Sequence, residues 1–314
     1  MSGDPSVGAF VVTWNRPEPL RRSLEGLLRQ TWPPDAIFVV DNGDGDVARN
    51  VIRDIGGDGQ IAYRRTGTNL GPAGGIAVGM RWLAELGFEW ILVNDDDNWL
   101  WRDDILARLR ALIRRHGHDA RVGAVARSGF RWDPRRGCLL AVPERELHGE
   151  VLIEVTCGDL HPIFRREVIE TVGPFREDLF FGRDDELYCL RMLQSGWSIL
   201  ADGDLWAELN ALKARRGIGR RGPVRRHLHR SEAWRAYYST RNYIAEMRRA
   251  LDRPDLARRE AARAAGRAAA AWLGGPRYGA EFTRLQARAV LDAYRGRLGL
   301  TVTPVPKDRD ATAS

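Results

Sequence analysis

Three consecutive aspartates, Asp95-Asp96-Asp97, follow the apolar run Glu89 to Val93 (EWILV) after a single asparagine, and this junction constrains the chain more than any other feature. A short apolar run that stops so abruptly reads as a strand buried on both faces, which delivers its acids to the rim of a sheet. Adjacent carboxylates repel and raise one another's pKa unless a cation or hydrogen bonds compensate. Mg2+ or Mn2+ suits the task, because either takes one or two carboxylate oxygens together with waters and phosphate oxygens. The plainer alternative is a turn whose aspartates cap a helix near Arg102, although Asp103 and Asp104 are better placed as its first-turn acids.

The same kind of junction recurs upstream. Val7 to Thr13 (VGAFVVT) ends in Thr13-Trp14-Asn15-Arg16, and Ala36 to Val40 (AIFVV) ends in Asp41-Asn42-Gly43-Asp44-Gly45-Asp46. Ile61 to Arg65 is a weaker strand leading to Asn69-Leu70-Gly71-Pro72-Ala73-Gly74-Gly75. Helical spacing follows at Leu20 to Gln30, Gly74 to Leu86 and Arg102 to His116. This alternation predicts an α/β fold with a mostly parallel sheet and helices on both faces. Ligands of such sheets bind beyond the carboxyl ends of the strands, so these polar ends define the candidate site. The glycines of Asn69 to Gly75 either admit a ligand to the backbone or serve a turn alone. They match neither GxGxxG nor GxxxxGK[ST], which argues against a Rossmann dehydrogenase and a P-loop NTPase. Asp41 at its strand end could accept from a base N–H or a ribose hydroxyl.

Beyond residue 117 the regularity weakens. Val122 to Phe130 and Glu150 to Val155 read as strands, and Arg165 to Val172 and Asp184 to Ser195 as helices. From Ser231 the pattern is helical, with Arg/Ala-rich segments at Arg258 to Leu273 and Glu281 to Leu298. The expected division is an α/β domain over 1–230, a helical region over 231–303 and a flexible tail over 304–314. A second acidic cluster, Arg183-Asp184-Asp185-Glu186, follows Phe180-Phe181-Gly182. Its acids are either helix-dipole partners or a carboxylate pair fit for general-base work.

Composition narrows the classes. With 314 residues, 44% hydrophobic and 33 Gly, the chain is globular rather than disordered or collagenous. Its 3 cysteines form no CxxC pair, which disfavours a disulfide framework or a four-ligand zinc site and suits a reducing compartment. MSGDPSVGAF lacks the features of a signal peptide, and no run approaches the roughly 18 apolar residues of a membrane span, so the expected location is cytoplasmic. The net charge is +7, and Lys213, Arg215, Arg216, Arg220, Arg221, Arg225, Arg226 and Arg230 supply much of it without one intervening carboxylate. That block suits an anion such as a diphosphate, an anionic lipid or a nucleic acid, or it reflects genomic base composition. No RNP-like motif or zinc-finger spacing accompanies it, so nucleic acid is not the expected partner.

Taken in order, VVTWNR, VVDNGDGD, NLGPAGG, NDDD, FFGRDDELYCLR and YYSTRN resemble family 2 glycosyltransferases of the GT-A fold, near their galactofuranosyl- and rhamnosyltransferase-like branches, over roughly residues 7–245. The resemblance implies inverting, metal-dependent transfer from a nucleoside diphosphate sugar, UDP or dTDP, to a hydroxyl of a glycan, lipid-linked saccharide or secondary metabolite. It implies that Thr13, Asn15, Arg16 and Asp41 line the nucleotide pocket, with Asn69 and Gly75 near the ribose and diphosphate. Asp95 and Asp97 would hold Mn2+ or Mg2+, with Asp96 between them at the donor. Asp185 would be the catalytic base with Asp184 beside it, and Tyr238, Arg241 and Asn242 match a feature of the branch whose role the sequence does not give. Two departures stand out. Arg183 replaces a tryptophan common in relatives, and no histidine follows the strand that the resemblance implies at Asp204-Leu205-Trp206-Ala207-Glu208, which leaves His229 as a third metal ligand only if its loop folds back. The segment 213–230 would also suit an anionic membrane surface, and the Ala-rich helices could pair two subunits. Nucleotidyl transfer is the rival enzymatic reading, distinguished by release of pyrophosphate, and nucleic-acid binding is the rival non-enzymatic one.

Overall fold

The computed structural model describes residues 4–98, 100–216 and 233–304. His227, His229 and the arginines at 220, 221, 225, 226 and 230 lie outside the described residues. Contacts divide the described chain into two units, residues 4–177 with 185–216, and residues 178–184 with 233–304.

The first unit is built on an eight-stranded sheet. Its strands are β1 (Val7–Thr13), β2 (Ala36–Asp41), β3 (Ile61–Arg65), β4 (Trp90–Asp95), β5 (Val122–Ala126), β8 (Glu150–Ile153), β9 (Ile163–Arg165) and β10 (Ser198–Asp202). They are ordered β3-β2-β1-β4-β9-β5-β10-β8. A separate hairpin joins β6 (Arg131–Asp133) and β7 (Cys138–Leu140). Strands β1 to β4 pair in parallel, β9 runs antiparallel between β4 and β5, and β8 runs antiparallel beside β10. The sheet is therefore mostly parallel, and the apolar runs of β1, β4 and β5 are buried as strands covered on both faces must be. The helices are α1 (Pro17–Leu28), α2 (Val47–Asp54), α3 (Gly71–Glu85), α4 (Ile105–His116), α5 (Arg166–Val172), α6 (Asp184–Gln194) and α7 (Gly203–Arg215).

Local chemistry explains where these elements begin. Pro17 starts α1 at a position that needs no N–H. Helix α3 lies close on β1 because it carries glycines where the two meet: a Cβ at Gly75 would stand 2.5 Å from Val12 Cγ1, and one at Gly79 would strike the Phe10 ring. The structure corrects three expectations. Residues 204–208 are helical rather than extended, because the strand ends at Asp202, whose carboxylate caps α7 by accepting from the Leu205 N–H at 2.9 Å. Between β2 and β3, where the sequence reading places no helix, α2 follows the 41–46 turn and buries Ala48, Val51 and Ile52. Asp103 and Asp104 precede α4 rather than filling its first turn, and Arg102 holds the Asp104 carboxylate at 2.6 and 2.7 Å, so it does not cap the helix.

In the second unit, α8 (Ala233–Arg249), α9 (Pro254–Ala271) and α10 (Pro276–Arg295) pack on one another. Helix α8 is buried on most of its surface, including Tyr237, Tyr238 and Tyr243, while α9 and α10 bury alanines such as Ala264, Ala268, Ala289 and Ala293 that permit close approach. Among the described residues no helix is long and apolar enough to cross a membrane.

Candidate active site

Parallel register brings the polar strand ends of the first unit together. Thr13 is opposite Asp41 in the β1–β2 pair, and Val12 is opposite Asp95 in the β1–β4 pair. Thr13, Asp41 and Asp95 thus stand along one edge of the sheet although they are far apart in sequence.

At the centre of that edge is Asp96, 5% exposed. Thr13 Oγ1 donates to Asp96 Oδ2 at 2.9 Å, and Arg16 Nη1 donates to Asp96 Oδ1 at 2.6 Å. The same guanidinium reaches Asp97 Oδ2 through Nη2 at 2.9 Å, so one arginine spans two acids of the triplet. Asn15, with a left-handed φ of 53°, links β1 to the helix behind it and brings Arg16 to this position. Burial pushes the Asp96 carboxyl up to about 6, against the opposing pull of Arg16 and Thr13. Burial works against the Arg16 guanidinium too, yet Asp96 and Asp97 raise it above its ordinary value.

Asp41 is buried and its carboxylate is engaged within its own neighbourhood: Oδ1 accepts from the Gly43 N–H and Oδ2 from the Tyr63 hydroxyl, both at 2.8 Å. Asn42 donates to the Gly71 carbonyl at 3.0 Å, tying the end of β2 to the start of α3. Asn69 Oδ1 accepts from the Gly71 N–H at 2.9 Å and shapes the turn into that helix. Gly75 faces Val12 and Asn42, so its lack of a side chain lets α3 seat on the sheet.

Asp95 and Asp185 meet at a residue that sequence reasoning missed. The Gly158 N–H donates to Asp185 Oδ1 at 3.2 Å, and a Cβ at Gly158 would stand 2.7 to 3.0 Å from the Asp95 carboxylate. Asn98 Nδ2 holds this segment by donating to the Gly158 carbonyl at 2.9 Å and to Asn94 Oδ1 at 2.6 Å. No periodic pattern marks Gly158; a lone glycine in the polar stretch TCGDLHP is its only signal. His161 lies just beyond, fully buried at a φ of 53°, and burial followed by nearby Arg127 keeps its pKa well below the ordinary value.

Asp184 ends the 178–184 segment of the second unit, where burial pushes it up to about 6. The role of the YYSTRN helix is legible in that unit. Asn242 Nδ2 donates to the carbonyls of Leu179, Phe181 and Gly182 at 3.0, 2.9 and 3.0 Å. Arg241, fully buried, donates to the carbonyls of Leu179 at 2.9 Å and Gly299 at 2.7 Å. Tyr238 donates to the Val302 carbonyl at 2.6 Å. Arg241 and Asn242 clamp the loop that runs into the second acidic cluster. Arg183, at a φ of 61°, stacks its guanidinium 4.1 Å over the Tyr243 ring.

The donor set at the sheet edge suits a hard divalent cation. Asp95 and Asp97 flank an Asp96 already matched by Arg16, and Asp97 is 55% exposed in its side chain. An ion held by these two would complete its shell with phosphate oxygens and water, as Mg2+ and Mn2+ do. Among the described residues no group of three or more His, Cys, Asp or Glu side chains is arranged to hold a metal, and the expected third ligand, His229, lies outside them.

The chain is similar to known proteins in family and fold. The family described as "Glycosyl transferase family 2" matches residues 9–173. The protein named galactofuranosyltransferase GlfT1 from Mycobacterium tuberculosis is 31% identical over 206 residues, 61% of this chain and 66% of that protein. Its namesake from Mycolicibacterium smegmatis is 28% identical over 202 residues, 60% of this chain and 66% of that protein. The matched region thus spans slightly less than two thirds of these relatives. Among solved structures, mannosyltransferase PcManGT from Pyrobaculum calidifontis, in complex with GDP-Man and Mn2+, superposes with a TM-score of 0.54 at 20% identity, covering 94% of this chain and 89% of that one. That likeness extends to the fold, the GT-A arrangement of a mostly parallel sheet with flanking helices.

Proposed function

The chain belongs to glycosyl transferase family 2, and from that premise we propose that it transfers a sugar, with inversion, from a UDP- or dTDP-linked donor to an acceptor hydroxyl of a glycan, lipid-linked saccharide or secondary metabolite. The observation that carries the reading is the junction at Gly158, which puts the first acid of the triplet and Asp185 against one residue. Thr13, Asn15, Arg16 and Asp41 line the nucleotide side of the sheet edge, with Asn69 towards the ribose and diphosphate and Gly75 serving indirectly by letting α3 seat against Val12 and Asn42. Asp185 accepts the proton of the acceptor hydroxyl as its oxygen attacks the anomeric carbon, and the nucleoside diphosphate departs from the opposite face. The transition state has oxocarbenium character, so positioning and exclusion of water matter more than covalent participation. Mn2+ or Mg2+ held by Asp95 and Asp97, with His229 as a further ligand, would supply neutralisation of the diphosphate leaving group. Asp184 supports Asp185 from the preceding position, and the cations at 213–230 meet a diphosphate or an anionic membrane surface.

Replacement of Asp185 by Asn tests the assignment. Turnover falls by about 100-fold or more, while the donor dissociation constant, measured calorimetrically with UDP or dTDP and Mn2+, changes by less than about threefold, since uniform binding does not involve the base. Near-normal transfer by the variant rules out Asp185 as base. Release of pyrophosphate instead of nucleoside diphosphate would identify a nucleotidyltransferase.

A further inference from the structure

Arg16 bonds both an acid that the fold buries and an acid suited to hold a metal. Its Nη1 donates to Asp96 Oδ1 at 2.6 Å, on a side chain only 6% exposed. Its Nη2 donates to Asp97 Oδ2 at 2.9 Å, on a side chain 55% exposed. The inner bond is the shorter and the less hydrated, so it anchors the guanidinium, while the outer one is open to exchange with solutes. Thr13 Oγ1 and the Trp14 backbone N–H also donate to Asp96 and fix that anchor in place. Burial works against the charge of Arg16, yet Asp96, Asp97 and Asp95 hold its pKa above the ordinary value. One fixed cation therefore lies in the field of all three aspartates.

A divalent ion on Asp95 and Asp97 has to share Asp97 with this guanidinium. Two cations on one carboxylate repel, and each weakens the other's hold. Swinging Arg16 away does not relieve the opposition, because its departure would leave the buried Asp96 without its cation. A bare ion therefore meets Arg16 as a rival. An ion that arrives with a nucleoside diphosphate brings at least as much negative charge as positive, and the added anion offsets the guanidinium as well as the ion.

We infer that Arg16 selects the metal–nucleotide complex over the bare ion. Anchored on Asp96, it competes with a free divalent cation for Asp97, and the competition is relieved when the ion comes with its diphosphate. This role rests on the metal-assisted sugar transfer proposed above. It makes ion and nucleotide bind with more cooperativity than their direct coordination supplies.

The test is titration of the full chain with Mn2+, read by the paramagnetic resonance signal of the free ion, with and without saturating UDP or dTDP. Arg16→Gln keeps a donor for Asp96 and removes the charge. Its dissociation constant for Mn2+ alone is expected to be lower than that of the wild type by about fivefold or more, while with nucleotide the two proteins differ by less than about twofold. Arg16→Lys also breaks the two-acid fork but keeps the charge, so its affinity for the bare ion stays nearer to wild type than to Arg16→Gln. A purely structural role would make the two variants alike. In an Asp97→Asn background, Arg16→Gln brings no gain in ion affinity. Equal or weaker binding of bare Mn2+ by Arg16→Gln, with nucleotide binding intact, overturns selection by Arg16 and leaves sugar transfer standing. Failure of the wild type to take up Mn2+ even with either nucleotide overturns the metal site as well.

Discussion

The Gly158 N–H donates to the Asp185 carboxylate at 3.2 Å, and the opposite side of the same glycine lies against Asp95. A methyl group there would stand 2.7 Å from Asp95 Oδ2. Gly158→Ala is expected to displace Asp95 or the loop at a cost of about 1–3 kcal/mol, and to weaken metal-dependent UDP binding more than metal-free binding. Calorimetric titration with and without Mn2+ separates the two; equal affinities for wild type and variant would mean that Asp95 does not depend on this contact.

Arg16 joins Asp96 and Asp97 in one fork. Arg16→Ala leaves the buried Asp96 charge with Thr13 as its remaining side-chain donor, at a cost of about 1–2 kcal/mol once the partial exposure of Arg16 is allowed for. Arg16→Lys should recover little, since an ammonium cannot reproduce the two-acid geometry of the guanidinium. Urea midpoints of the two variants decide it, and full rescue by lysine would contradict the fork.

Stability should depend on pH through Asp96 and Asp184. Burial raises each from an ordinary value of 3.8 to about 6. Between these values the folded chain binds more protons than the unfolded one, so their contribution favours folding at low pH and is lost as pH rises to about 6. Each group accounts for a change on the order of 2–3 kcal/mol across that window. Denaturation of Asp96→Asn and Asp184→Asn from pH 4 to 7 should show a stability difference from wild type that varies with pH; a constant difference would mean these carboxyls titrate normally.

Asn242 holds three carbonyls of the 179–182 loop. Asn242→Leu leaves these loop carbonyls without that donor, and a loss on the order of 3 kcal/mol is expected. Because that loop runs into Asp184 and Asp185, turnover should fall while the donor dissociation constant holds, which single-turnover assays with separate binding measurements will show. A fall in donor affinity alone would place the clamp elsewhere in function.

Much of the candidate site was legible because it is local. Apolar runs ending in polar turns gave Val7–Thr13 and Ile61–Arg65 with their observed bounds, and the acidic triplet announced itself by its like charges. Gly75 was legible as a glycine but not as a packing residue, since the reason for it, the close approach of Val12, comes from another element. Residues 204–208 misled, because their apolar character suits a strand or a helix equally and only the cap at Asp202 decides between them.

The chain order of strands, turns and acids therefore determined by itself that an α/β sheet would carry carboxylates at its rim, because periodicity and charge repulsion act between near neighbours. Tertiary structure alone decided which of those groups meet. It matched Thr13 and Arg16 to Asp96, set Gly158 between Asp95 and Asp185, and gave Arg241 and Asn242 a loop to hold. These contacts join residues tens of positions apart, and their partners are selected by strand register and by the burial that leaves polar groups no solvent to bond, which no local pattern encodes.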